Sequence, residues 1–349
     1  DILGNEELKP ESTSSWEFGL NVNLWDGLFD IDFTYYSSYG KDQIFAVPIA
    51  TSSGYWRQIM NAGEISNKGF ELVITSNLYK DEDWKIDLGW NFSKNENMVE
   101  KLAEGVDNIF LGGFEGSSIR AVAGKPYGTI FGYGWLRHNG QVVIDGDPES
   151  PDYGFPILDP MEKDFGSANP DWLMGLRGSV SWKGLTLSFL FDIKSGGVIW
   201  NGTKGAMYYF GTHKDTEIRG SKKVFDGVIV DANGNATPNN IEVTVDENWL
   251  AFNNGNGFYG NNTEDFIEDA GWVRLRELSL SYQLPSSIIE YTPFSDVIVT
   301  FTGRNLWLST DYTGVDPETS LMGAHNAQGI DYFNMPSTKS YIFSLNFKF

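Results

Sequence analysis

Nine stretches of this chain alternate apolar and polar residues with a period of two, and that alternation restricts the fold more than any other feature. The first runs through Trp16, Phe18, Leu20, Val22 and Leu24, with Glu17, Gly19, Asn21 and Asn23 between them. After Trp25-Asp26-Gly27 the pattern resumes at Phe29, Ile31, Phe33 and Tyr35. Phe70, Leu72, Ile74 and Leu78 form a third stretch, and Trp84, Ile86, Leu88, Trp90 and Phe92 a fourth. A fifth (Trp172, Met174, Leu176, Val180, Trp182) and a sixth (Leu185, Leu187, Phe189, Phe191, Ile193) flank Lys183-Gly184. Leu278, Leu280 and Tyr282 precede Pro285, and Val297, Val299 and Phe301 follow it. The chain ends on Tyr341, Phe343, Leu345, Phe347 and Phe349. Side chains alternate across a strand, so each stretch predicts a strand with one oily and one polar face.

The connections alternate in length. Those at 25–27, 79–83, 183–184 and 285–296 are short; those at about 37–67, 94–170, 195–271 and 310–337 are long. A soluble β-sandwich, such as a carbohydrate-binding domain, has no reason to keep all its long loops at one end. A transmembrane barrel does, with short periplasmic turns and long extracellular loops. The expected fold is therefore all-β: about nine antiparallel strands of a transmembrane β-barrel, forming a single unit over 1–349. No apolar run is long enough for a membrane-spanning helix, but barrel strands cross with only about ten alternating residues. Trp25, Trp84 and Trp182 are expected at the periplasmic interface, and Trp16, Trp172 and Trp272 at the outer one. The 12 Trp, 16 Tyr and 24 Phe fit such girdles.

A lone nine-strand sheet would leave two edges in lipid, where unpaired backbone groups are costly. The chain also begins at Asp1 without a methionine or signal peptide. It is expected to be a mature protein, a processed product or a fragment, and to complete its barrel with strands from elsewhere. The net charge of −22 argues against nucleic acid as a partner. With no cysteine there are no disulfides or thiolate metal sites, and the three histidines, His138, His213 and His325, are scattered.

Several motifs add a family resemblance. Asn5-Glu6-Glu7-Leu8-Lys9-Pro10-Glu11, followed by Trp16-Glu17-Phe18-Gly19-Leu20, is similar to N-x-x-L-K-P-E…E-x-G-L. Gly63-Glu64-Ile65-Ser66-Asn67-Lys68-Gly69-Phe70-Glu71 is similar to G-x-I-x-N-K-G-F-E. Gly124-Lys125-Pro126-Tyr127-Gly128 with Phe131-Gly132-Tyr133, and Asn169-Pro170-Asp171-Trp172, follow in order. So do Phe266-Ile267-Glu268-Asp269-Ala270, Val273-Arg274-Leu275-Arg276-Glu277-Leu278, Gly303-Arg304-Asn305-Leu306 and Asp316-Pro317-Glu318. One departure is Met335-Pro336, where an aromatic usually precedes the proline. Together these segments resemble the C-terminal region of SusC-like (SusC/RagA-type) TonB-dependent outer-membrane transporters of Bacteroidetes.

The resemblance implies the last nine strands of a 22-stranded barrel whose plug domain is absent from this chain. It also implies a SusD-like surface lipoprotein as lid and TonB contact through the missing N-terminal part. The setting it implies is the cell outer membrane, against lipid and lipopolysaccharide. The implied activity is TonB-dependent import of a nutrient, with an oligosaccharide as first expectation. A peptide importer of the same family, or a surface-binding barrel without transport, is the alternative.

Within the long loops, Tyr55, Trp56, Arg57, Tyr133, Trp135, Trp200, Tyr208, Tyr209, Phe258 and Tyr259 are candidate ligand contacts. Aromatic faces beside polar groups suit sugar rings, although they also suit loop packing or a lid interface. The alternating end Tyr341, Phe343, Leu345, Phe347 and Phe349 resembles an outer-membrane assembly signal. Arg274 and Arg276 share the parity of the oily face and are expected to snorkel into headgroups. Glu277 is expected to face the lumen, and Arg304 to point inward toward a carboxylate. Asp145, Asp147 and Glu149 are a calcium candidate, although Asp-Gly and Asp-Pro are also ordinary turn formers. No other cofactor is expected. There is no Gly-x-Ser-x-Gly elbow, His-Glu-x-x-His or phosphate loop, so no enzyme is predicted.

Overall fold

The computed structural model describes residues 2–252, 255–323 and 325–349, and the nine alternating stretches are nine successive strands of one sheet. They are β1 (Ser12–Leu24), β2 (Phe29–Pro48), β3 (Arg57–Lys80), β4 (Trp84–Leu102), β5 (Trp172–Trp182), β6 (Leu185–Ser195), β7 (Trp272–Gln283), β8 (Asp296–Ser309) and β9 (Ser340–Lys348). Each pairs antiparallel with the next, and the sheet does not close: β1 and β9 are its edges. The short turns have the backbone that tight hairpins need. Lys183 (φ 46) and Gly184 (φ 89) are both left-handed, as a two-residue type I′ turn requires.

Register carries the apolar face unbroken across the sheet. One rank runs Leu20, Phe33, Leu72, Phe92, Met174, Ile193 and Val273, each opposite the next. Its polar neighbours Asn21, Asp32, Asn91 and Asp192 lie on the other face. The apolar band has aromatic borders. Toward the loops, Trp16 lies against Tyr35, and Phe70, Phe92 and Trp172 follow at centroid spacings of 5.5 and 5.7 Å. Toward the turns, Trp84 and Trp182 lie opposite each other with rings 5.9 Å apart. From Trp84 to Phe92 a strand advances about 27 Å, which at a tilt of about 40° is a rise of about 20 Å, close to the apolar band of about 25 Å in such barrels. Immediately beyond the outer border the same face becomes charged: Glu96 bridges Lys68 (3.0 Å) and Lys94 (3.4 Å). Trp272 is the exception among the expected girdle residues. It is buried under the long connections rather than turned to lipid.

Strands β2, β3 and β4 run well past this border. The connection expected at 37–67 shrinks to 49–56, and β4 extends to Leu102. The remaining long connections pack into a cap with its own cores. Trp200, Ile119, Ile130, Phe266, Ala327 and Ile330 form one; Trp135, Phe155, Val243, Val245, Trp249 and Leu250 form another. Short strands knit this cap, among them Val198–Asn201 between Ile267–Asp269 and Ile330–Asp331. The most fully buried apolar side chains therefore lie in the loop segments, while many of those in the wall are exposed. A wall built for lipid has no internal core of its own.

The loop end as a candidate functional site

The cap gathers aromatics from four distant segments. Tyr209 closes helix α1 (Gly202–Tyr209) and stacks on Phe258, with ring centroids 4.5 Å apart. Phe210 packs edge-on against both. Tyr259 touches Phe258 (4.2 Å) and Phe114 (5.5 Å), and its ring lies 6.0 Å from that of Tyr332. Phe114 and Phe333 flank Tyr332 at 4.8 and 4.7 Å. Buried Trp200 forms the floor, parallel to Tyr332 and 5.7 Å from Phe114. Phe210, Tyr259 and Phe333 remain 63%, 54% and 57% exposed. Tyr259 (φ 53) and Phe333 (φ 56) both sit in the left-handed region, uncommon for bulky residues and frequent at sites that bind. Gly260 makes this packing possible: with φ +79, it lets its backbone approach Gly116 so closely that an added Cβ would come within 2.3 Å.

The other sequence candidates are distributed differently. Tyr55 and Trp56 stand exposed at the tip of the β2–β3 hairpin beside Arg57, far from the cluster in chain and in strand register. Tyr133 is half-buried, and its carbonyl accepts from the amides of Thr263 and Glu264. Trp135 is buried and donates from Nε1 to Asp265 at 2.9 Å. Trp200 is fully buried. The Tyr208 hydroxyl donates to Asp215 at 2.7 Å, and burial followed by that carboxylate pushes the phenol pKa far up. Of the ten candidates, Tyr209, Phe258 and Tyr259 converge in the cluster, Tyr259 exposed and the other two half-buried. Phe114, Phe210, Tyr332 and Phe333, which complete the cluster, carry no local signal; only the tertiary fold brings them together.

An ion-paired network fixes the loops beside the cluster. Arg274 is 2% exposed and donates to Asp316 at 2.7 Å and to Ser337 at 2.8 Å. Its Nε lies 3.0 Å from Glu318. Arg276 pairs with Asp192 at 3.0 Å and with Glu318, and stacks over Trp272 at 4.8 Å. Neither arginine snorkels into headgroups. A bulge between Leu275 and Glu277 resets the alternation, so Arg274 lies opposite Asp192 on the polar face. Burial pushes the Asp316 carboxyl up, but hydrogen bonds from Ser337 and the Glu318 amide, with Arg274, hold it below its ordinary range. Glu268 is likewise held low against burial by Thr313 and Lys204, the lysine at 3.1 Å. Arg304 pairs with Glu277 at 3.0 Å, a neighbouring carboxylate as expected.

Asp145 accepts from the Asp147 amide (2.9 Å) and Asp147 from the Glu149 amide (3.0 Å), so these carboxylates close their own turns and do not converge. Among the described residues no group of three His, Asp or Glu side chains is placed to share a metal ion.

The sequence model of the TonB dependent receptor-like β-barrel matches residues 1–306. The chain belongs to this family. It is 28% identical to TonB-dependent receptor P3 of Formosa agariphila, over 99% of this chain and 35% of that protein. It is 23% identical to TonB-dependent receptor SusC of Bacteroides thetaiotaomicron, over 99% of this chain and 32% of that one. The chain thus spans about a third of the length of the curated relatives it matches. Among solved structures, the RagAB peptide importer in its open-open state superposes with a TM-score of 0.69 at 20% identity, covering 99% of this chain and 35% of that one. That likeness shows the fold. These findings support the resemblance to the SusC/RagA type and place the chain in an outer-membrane β-barrel; its relatives are receptors, not enzymes.

Proposed function

We propose that this chain is the C-terminal wall and extracellular cap of a receptor that imports an oligosaccharide in a TonB-dependent manner. The observation that carries this reading is one sheet with an apolar band on one face, a polar face behind it, and a folded cap presenting aromatic faces at its loop end. The remaining strands, the plug and the TonB contact come from outside this chain, and a SusD-like lipoprotein covers the loops. Tyr209, Phe258 and Tyr259, with Phe210 and Phe333, are the aromatic contacts offered to ligand or lid. Tyr341, Phe343, Leu345, Phe347 and Phe349, all exposed, serve as the assembly signal.

The test is uptake by cells carrying the complete receptor. Labelled oligosaccharides should accumulate inside the outer membrane, and a protonophore should abolish accumulation. Uptake of peptides alone would favour the peptide-importing alternative. Surface binding that survives the protonophore, with no accumulation of either class, would contradict import.

A further inference from the structure

Two adjoining hollows lie where β2, β3 and β4 pass the apolar band and meet the cap. One, about 500 Å³, is lined by Ser93, Asn95, Asn97, Tyr127, Asn169 and Gln328 among others. The second, about 380 Å³, adds Ser38, Gln43 and Asn67 and shares Asn97, Tyr127 and Asn326 with the first. In a chain of net charge −22, neither has an Asp, Glu, Lys or Arg in its lining; His325, in the first, is the one imidazole.

The amides hold one another in place. Asn67 Oδ1 accepts from Asn97 Nδ2 at 2.7 Å, and Asn97 Oδ1 accepts from the Tyr127 amide at 2.8 Å. Asn169 Nδ2 donates to the Tyr127 carbonyl at 3.1 Å, and Asn326 lines both hollows beside Tyr127. Asn67 Nδ2 and Asn169 Oδ1 make no hydrogen bond to any described residue, which leaves a donor and an acceptor among the open polar atoms of a pre-ordered frame.

We propose that this amide-lined crevice is a binding subsite for an uncharged, hydroxyl-rich chain, and that it selects such a chain against charged ones. A hydroxyl both donates and accepts, so it matches the free amide atoms. An ammonium placed here would lose water without gaining an ion partner, and a carboxylate would meet only the His325 imidazole, whose Nδ1 already accepts from the Ala327 amide at 3.3 Å. The inference rests on the import reading and narrows its substrate.

The complete receptor in detergent tests it. The probes are neutral hexasaccharides of glucose, xylose and mannose, and hexagalacturonate as the charged counterpart. Asn67→Asp keeps the acceptor used by Asn97 and replaces the free donor with charge. Asn326→Ala is the second variant, and thermal melting checks that both remain folded. A neutral hexasaccharide should bind, Asn67→Asp should weaken it at least about ten-fold with unchanged melting, and hexagalacturonate should not bind. Tighter binding of hexagalacturonate, no binding of any neutral probe, or neutral binding untouched by both variants would overturn the subsite. Import of peptides or uronates by cells would sink the subsite and leave import standing. Neutral binding without any uptake would do the reverse.

Discussion

Arg274 shows how one irregularity of the backbone changes the meaning of a residue. By simple alternation it belongs with Leu278 on the oily face; the bulge after Leu275 turns it under the cap to Asp316. Alternation is legible in sequence, but a bulge is not, because the extra residue has no signature of its own. Breaking a pair this deeply buried leaves an uncompensated charge, at a cost of about 3–5 kcal/mol. Arg274→Met should therefore sharply raise amide exchange through 310–337, while Arg274→Lys should raise it less. Equal protection in wild type and Arg274→Met would remove the network from the account. pH acts through the same groups. Asp316 and Glu268 are held below their ordinary 3.8 and 4.5, so the stability they add is complete above those values and lost as pH falls through the lower, folded ones. Asp265, which burial pushes up from 3.8, works in the opposite direction. Protection factors in 310–337 should hold from pH 7 to 5 and fall below the ordinary 3.8 of Asp316. A fall between pH 7 and 5 would point to other groups.

At the scale of elements, the strands inside the apolar band were readable and their extensions were not. Within the band, lipid on one side and a polar face on the other impose a period of two. Past Phe70 and Phe92, water meets both faces, and Lys68, Lys94 and Glu96 occupy positions that would otherwise be oily. The extended β2–β3 hairpin is held instead by a small core of Val47, Ala62, Val99, Leu102, Ile109 and Ala121. Its tip, with Trp56 72% exposed, lies outside that core. Replacing 49–56 with Asn-Gly should leave the melting temperature of the complete receptor within about 2 °C, since exposed substitutions rarely exceed about 0.5 kcal/mol. A larger loss would show that the tip packs on something. The cap was illegible for a related reason. Its strands are two to six residues long and pair across wide gaps, as Trp200 does with Ile267 and with Ile330. Long-range pairing leaves no local period, so the aromatic cluster could be sensed only in pieces, at Tyr209, Phe258 and Tyr259.

For the whole molecule, the central claim is that the nine strands form one section of barrel wall, with lipid on one face and the lumen on the other. The odd strand number and the two free edges were visible in the sequence, and the open sheet agrees with them. So does a chain spanning about a third of its relatives' length. The chain contains no cysteine, which leaves it clean for single-cysteine labelling. In the complete receptor, reconstituted in bilayers containing brominated lipid, a fluorophore would be placed at Leu20, Leu280 and Phe301, and at their neighbours Asn21, Ser281 and Thr300. The register places the first set on the apolar face and the second on the polar one. Lipid should quench the fluorophore at Leu20, Leu280 and Phe301 and spare the other three. Equal quenching at neighbouring positions, or none at any, would contradict the account.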